Sequence, residues 1–375
     1  MRKDFDLWDS DNNLFTCFGE QPDLFEVHLG KALMPLLELK SGDEESSLDK
    51  ELEKSRKKID AELGLLIPEF NIYEDTALLP NEYAFLFKGT EIAKHTVRLG
   101  YYICLDTGNV KTPVNTEGLE FTKEPAFDLD GFFVTELDWK TYKAAGYACA
   151  SPKKIIRVHF YECIRKNRTK ILDQCMVNNL VEKVRKVNPD VVSDVFFMHQ
   201  FSTSDLKLIL DRLLDEEVSI RDMNTILETI ADYLPEEQKP YELAEKVREH
   251  LSYSFIKDYV DDNKTLHCIR VSQDINELLS ETAYYPQSRV EVPYCAFDRS
   301  QRNRFFRKVS GVFSKMTGKD YQTVIVCVSS VRYLFREAIR REMPRVRVIS
   351  DMELYALNND EFHPVVEEEL SFEEE

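Results

Sequence analysis

The spacing of apolar positions changes character several times along the chain. "EVHLGKALMPLLEL" (26–39) is an almost continuous apolar run, which predicts a buried strand followed by a turn. After a polar loop at 41–47, Leu48, Leu52, Ile59 and Leu63 recur at helical spacing, and Gly64 and Pro68 stop that helix. "EFNIYED" and "YAFLFKGTEIA" predict strands, the second folding back near Lys88-Gly89. Residues 98–150 hold short strands at Tyr101–Leu105 and Phe132–Thr135, a Gly/Pro/Asn loop at 106–118 and a short helix near 138–145. A piece this small predicts a subdomain inserted into its neighbour.

From 151 to 251 the pattern is helical, with breaks at Asn188-Pro189 and between Pro235 and Pro240. Beyond 252 it alternates. Strands are predicted at 266–271, 323–330 and 345–350, and helices at 273–281, 299–317 and 331–342. Short connections between them predict a small α/β unit with parallel pairing. The fold class is therefore mixed, α/β and α+β, in several subdomains.

The stretch "SIRDMNTILETIADY" (219–233) reads as a helix capped by Ser219, with Asp222 reaching back as in a capping box. Ile220, Met223, Ile226, Leu227 and Ile230 form its apolar stripe, so that face is core. A second helical pattern, 204–218, precedes it. Two helices joined by a short turn can read DNA, but base readout needs Arg, Lys, Asn or Gln in a basic surround. Here Asp222, Glu228 and Asp232 stand against Arg221.

Charge and composition narrow the partners. The net charge of −19 over 375 residues repels phosphate backbones and anionic lipid, so nucleic acid is not an expected partner. With 43% hydrophobic residues and 23 Phe, the chain builds real cores. No run of about 18 apolar residues is present, so no membrane span is expected, and "MRKDFDLWDSDNN" lacks the apolar region of a signal peptide. The eight cysteines are scattered without a CxxC pair, the usage of a reducing compartment.

Catalytic signatures are missing where they would be sought. Gly318-Lys319 is followed by Asp320, and Phe313 occupies the first-glycine position of a phosphate loop. His267 and Cys268 are adjacent on a strand and point to opposite faces, so joint metal ligation is awkward. The expectation is a chain without catalytic residues, cofactor or metal.

Five separated stretches carry a family resemblance. "EEVSIRDMNTILETIADY" (216–233) resembles the most telling segment of the export gate family of type III secretion, the FlhA/SctV-type proteins of flagella and injectisomes. "FEVHLGKALMPLLE" (25–38), with Gly30 and Pro35, is similar to the segment where the family's large cytoplasmic region begins. "LLPNEYAFLFKGTEIAK" (78–94), "TKEPAF" (122–127) and "VIVCVSSVRYLFREAIRREMPRVRVIS" (324–350) follow in the family's order.

The resemblance implies four subdomains, the third all-helical and the fourth a small α/β unit. After an arm at 1–19, the first would comprise 20–97 and 151–171, with the second inserted at 98–150. The third would span 172–251 and the fourth 252–350, followed by an acidic tail at 351–375. It also implies a nine-membered ring under the export channel, a membrane-embedded half absent here, and a place at the cytoplasmic face of the bacterial inner membrane. The implied partners are chaperone–substrate complexes, other ring subunits and export-apparatus proteins such as the stalk of the ATPase complex. The alternative from the residues alone is a small-molecule-binding or regulatory α/β protein unrelated to secretion.

The family's chaperone-docking pit would involve Glu124, Pro125 and Phe127. Pro125 fixes its own φ and pushes Glu124 toward an extended shape, so the loop can present an acid beside an aromatic anchor. The family's third pit residue, a Thr before a His, falls at Val158 before His159. That departure removes a hydrogen bond worth about 0.5–1.5 kcal/mol.

Charge is unevenly distributed. Residues 289–347 contain fourteen Lys or Arg and five acids, whereas 351–375 contain ten acids and no Lys or Arg. Arg332, Arg336 and Arg340 are spaced i, i+4, i+8 and line one helix face. That face is expected either to be solvated or to meet acids of the arm, the tail or a neighbouring subunit. The tail is expected to be mobile.

Overall fold

The computed structural model describes residues 23–38, 46–112, 114–237, 239–316, 322–357 and 362–372. The arm at 1–19, Cys17 and Gly318-Lys319 lie outside the described residues. The chain divides into one unit of residues 1–59 and 67–167 and another of 60–66 and 168–375.

In the first unit, β1 (Phe25–Leu29) buries Phe25, Val27 and Leu29, the alternation of a strand covered on one side. Helix α1 (Leu48–Leu63) follows, and with the 3-10 turn at 31–37 it supplies the long crossover that parallel strands require. The chain then enters β2 (Asn71–Glu74), β3 (Glu82–Phe87) and β4 (Thr90–Thr96), giving the order β2-β1-β3-β4 with only β1 and β2 parallel. The β3–β4 hairpin turns at Lys88 (φ 49°) and Gly89 (φ 73°), as its sequence predicts. At Gly30 a Cβ would collide with the carbonyl oxygens of Leu79 and Pro80, which explains the small residue there.

A second sheet comes wholly from residues 101–150. It contains β5 (Tyr101–Leu105), β6 (Phe121–Glu124), β7 (Leu129–Thr135) and β8 (Ala148–Ala150), with α2 (Trp139–Ala145) between the last two. The order is β6-β7-β5-β8, all antiparallel. Phe132, Val134, Tyr142 and Tyr147 form its core with Cys104. Cys104 and Cys149 are register partners on β5 and β8, with Cα atoms 4.2 Å apart, and are joined as a disulfide. Strand register thus makes neighbours of two cysteines 45 positions apart in the chain, which their spacing does not display. Helix α3 (Pro152–Lys166) starts with Ser151 accepting from the Lys154 N–H and Pro152 in the first turn. Its Phe160 packs edge-on against Phe25 and Phe85, tying the helix to the first sheet.

The second unit begins with helices: α4 (Arg168–Ile171), α5 (Gln174–Val187), α6 (Pro189–Ser193), α7 (Thr203–Asp215), α8 (Met223–Tyr233) and α9 (Pro240–Phe255). The predicted break at Asn188-Pro189 is where Asn188 ends α5 and caps α6. The apolar stripe of α8 is buried throughout. Its cap differs from the expectation. Asp222, not Ser219, is the N-cap and accepts from the Thr225 N–H, while Ser219 accepts from Arg221 two residues on. Residues 219–222 cannot be helical because Ile220 bonds to the Leu63 carbonyl, holding that segment extended beside the end of α1.

The chain then alternates: β9 (Thr265–Val271), α10 (Gln273–Glu281), the hairpin β10 (Ala283–Tyr284) and β11 (Tyr294–Cys295), α11 (Arg299–Met316), β12 (Thr323–Cys327), α12 (Ser329–Ile339), β13 (Arg347–Ser350), α13 (Asp351–Tyr355) and β14 (His363–Leu370). The main sheet is parallel, in the order β13-β12-β9-β14. The predicted α/β unit is present. The predicted mobile tail is not: residues 351–355 are helix and 363–370 are the fourth strand of the sheet. Its acids find partners there, Glu367 at His267, Glu368 at Lys315 and Glu369 at Arg270. Composition alone hides this because the counter-charges lie on β9 and α11.

Candidate functional site

The loop between β6 and β7 is built around one carboxylate. Glu124 ends β6, faces Leu129 across the hairpin, and is only 4% exposed. Its two oxygens accept from the backbone N–H groups of Ala126 (3.1 Å) and Phe127 (2.9 Å). The Glu124 carbonyl accepts from Asp128, whose φ of 57° completes the reversal. Glu124 therefore staples the loop instead of offering a free acid to a partner. That differs from the expected role of this residue, for a physical reason: two backbone donors in reach engage both carboxylate oxygens and hold the group against its own loop.

What the loop offers is apolar. Phe127 is 39% exposed beside the staple. Phe121 at the start of β6 is 68% exposed and Leu129 at the start of β7 is 43% exposed, so one hairpin presents three large apolar side chains. Phe121 and Leu129 escaped the sequence reading. The signal available was a polar-apolar strand whose apolar residue falls on the unburied side of a sheet edge.

Behind the loop lies a buried group of rings. The Tyr83 hydroxyl on β3 is 2.8 Å from His159 Nδ1 on α3, and both residues are buried. Burial holds the Tyr83 phenol protonated, and the His159 tautomer sets which of the two donates. Burial, with the charges of His95 and Lys166, brings His159 down to about 4, leaving it neutral at pH 7. Burial also lowers His95, against the opposing charge of Glu124, and its Nε2 has no hydrogen-bond partner among the described residues. Lys166, at the end of α3, donates to the Ala126 carbonyl at 3.2 Å and so anchors the loop from the other side. Val158 is half-buried on the same helix, one residue before His159. The polar links from α3 to this region run through His159 and Lys166.

The arginines expected on a surface or subunit interface are placed differently. Arg332 on α12 is completely buried. It meets Glu216 through Nη1 (2.7 Å) and Nη2 (2.9 Å), and Glu245 through Nε and Nη2. Arg336 is 5% exposed and lies 3.9 Å from Glu216. Only Arg340 is substantially exposed, and it pairs with Asp215 at 3.2 Å. Arg347 completes the series on Glu217. Three consecutive acids at the end of α7, Asp215 to Glu217, thus each meet an arginine from the α/β part. Arg332 and Arg336 are buried within this chain and are not presented on its surface.

Two surface clefts lie in the second unit. One of 690 Å³ lies past the ends of β9 and β14, lined by Asp274, Arg307, Lys308, Lys315 and Glu368 among others. Another of 350 Å³ adjoins Arg212, Tyr333 and Arg340. Both mix charges of both signs. Among the described residues no three His, Cys, Asp or Glu side chains are grouped to hold a metal, and no helix is long and apolar enough to cross a membrane.

The FHIPEP family profile matches residues 17–358. The chain belongs to the FHIPEP family. Among its relatives, the flagellar biosynthesis protein FlhA of Borreliella burgdorferi is 26% identical over 335 residues, 88% of this chain and 46% of that protein. FlhA of Treponema pallidum is 28% identical over 312 residues, 83% and 43% respectively. The chain spans less than half the length of these relatives. Among solved structures, the Chlamydia pneumoniae CdsV protein aligns with a TM-score of 0.79 at 20% identity, covering 96% of this chain and all of that one. The nonameric EPEC SctV-C aligns with a TM-score of 0.71 at 18% identity, covering 94% and 100%. This FHIPEP chain shares their fold. Its β14 lies beyond the end of the family match.

Proposed function

We propose that this chain is the platform of a type III secretion export gate, a non-catalytic ring on the cytoplasmic face of the inner membrane that docks chaperone–substrate complexes. The observation that carries the docking site is the β6–β7 hairpin. A buried carboxylate fixes the loop, and Phe121, Phe127 and Leu129 stand out from it. Preformed apolar anchors on a stiff loop bind with little ordering cost. The occupant would be the apolar face of a chaperone carrying its export substrate.

Ring formation is supported by the nonameric state of SctV-C, whose fold this chain shares. CdsV has been solved in complex with CdsO, which supports a further contact with an export-apparatus protein such as the ATPase stalk. Titrating cognate chaperone–substrate complexes into the full chain by calorimetry tests the docking reading. Saturable binding with one site per chain is expected, and no heat or shift with any complex of the same secretion system would remove it.

A further inference from the structure

The parallel sheet of the second unit reverses its strand order at β9. From β9 the order runs outward through β12 to β13, while the last strand, β14, lies on the other side of β9. In open parallel sheets a ligand crevice forms outside the carboxyl ends of the strands, where the order reverses. The 690 Å³ cleft stands at that place. Ser272, the residue after β9, and Ser371, the residue after β14, both line it. Its volume falls within the range of small-molecule sites, about 300–1,000 Å³.

One wall is a face of α11 that carries a residue its packing does not call for. Arg307, Gly311 and Lys315 are spaced i, i+4, i+8, and all three line the cleft. Glycine inside a helix is destabilising relative to alanine. Nothing in the fold requires it at 311. Apart from the helix's own backbone, a Cβ there would meet no atom within 4 Å, and its φ is not in the left-handed region. The missing side chain leaves open floor between a cation one turn before it and a cation one turn after. Lys315 is held by Glu368 at 3.1 Å. Arg307 and Lys308 have no acid partner among the described residues.

The lining selects the ligand. Arg307 and Lys308 together match the double charge of a phosphate ester better than the single charge of a carboxylate. Asp274 and Glu369 supply acceptors for hydroxyl groups, and Glu369 lies 3.6 Å from its own counter-charge on Arg270. With Glu368, these acids balance Arg307, Lys308 and Lys315, so a chain of phosphates would meet uncompensated repulsion. One phosphate on a body rich in hydroxyls satisfies both halves of the lining.

We propose that this cleft is a binding site for a sugar phosphate, its phosphate over Gly311 between Arg307 and Lys315 with Lys308 beside it, and its hydroxyls on Asp274 and Glu369. The site lies in the second unit and does not rest on the docking role of the β6–β7 hairpin.

The test is calorimetric titration of the full chain with ribose 5-phosphate, inorganic phosphate and ribose. Ribose 5-phosphate is expected to saturate one site per chain, about tenfold more tightly than inorganic phosphate, and ribose alone to give no saturation. Arg307→Gln, at an exposed position, should weaken ribose 5-phosphate about tenfold with an unchanged melting midpoint. Gly311→Ala separates a ligand role from a structural one. It should raise the melting midpoint by about 2 °C, because alanine suits the helix better, and still weaken binding about fivefold. The comparison of the three probes needs no variant, so it decides the proposal even if a substitution disturbs the fold. No saturation by ribose 5-phosphate up to about 10 mM, or equal affinities for it and inorganic phosphate, would overturn the proposal. So would an affinity that Arg307→Gln and Gly311→Ala both leave unchanged.

Discussion

Arg332 and Glu216 face each other as a fork on a fork, 2.7 and 2.9 Å apart, with both side chains shut off from water. Glu245 closes the other side of the guanidinium, and Arg248 bridges Glu216 (3.2 Å) to Glu353 (2.8 Å). Glu353 is also the reciprocal cap of α13, bonding the Ser350 N–H. The helices 203–255 and the α/β part are thereby joined through one buried lattice. Removing Arg332 strips a buried counter-charge from both Glu216 and Glu245, so Arg332→Ala is expected to destabilise the second unit by about 3–5 kcal/mol. Chemical denaturation checks this. Arg340→Ala, at an exposed pair, is expected to change stability by less than about 1 kcal/mol.

The same lattice sets an acid limit. Burial pushes the Glu216 carboxyl up, but Arg248 and Arg332 outweigh it and hold it at about 2. A carboxyl held below its ordinary value of 4.5 stabilises the fold above that pH, and the contribution is lost as pH falls from 4.5 toward 2. Glu216→Gln should start from lower stability and show a flatter decline over that window in circular dichroism melts.

His159 predicts a separate window in the first unit. Its folded value of about 4 lies below the ordinary 6.5, so the unfolded chain takes up the proton first. Stability is then expected to fall as pH drops from about 6.5 toward 4. His28 works the other way, since hydrogen bonds to Asp75 and Glu26 outweigh its burial and raise it. The comparison is therefore the melting midpoint between pH 7.5 and 5 for the unaltered chain and for His159→Gln. The variant should lose part of the slope, and an identical slope would contradict the assignment.

The cap of α8 discriminates two readings of one sequence. Asp222→Ala removes the bond to Thr225 and a 2.8 Å bond from Tyr253, and is expected to cost about 1–2 kcal/mol. Ser219→Ala is expected to cost less than about 0.5 kcal/mol. Equal costs in urea denaturation would restore Ser219 as the cap.

These contrasts show what a single sequence carries. The stripe of α8, the turn at Lys88-Gly89 and the alternation after 252 are local, and periodicity displays them. Arg332 looked like a surface charge because its i, i+4, i+8 spacing is that of a solvated stripe. Its burial depends on Glu216 and Glu245, which lie 116 and 87 residues away. The acidic tail became β14 for the same reason, since Lys315 and Arg270 decide its fate. Glu124 lies in the loop, but whether an acid faces a partner or its own backbone depends on two N–H groups that no spacing rule reveals.

The docking claim is tested most directly by calorimetry of one cognate export chaperone against four chains: unaltered, Phe127→Ala, Phe121→Ala, and Leu137→Ala as a control. Leu137 is 91% exposed and has no part in the proposed contact. The account predicts at least a tenfold loss of affinity for Phe127→Ala, a smaller loss for Phe121→Ala and none for the control, all with unchanged melting midpoints. Unchanged affinity in both phenylalanine variants would contradict it.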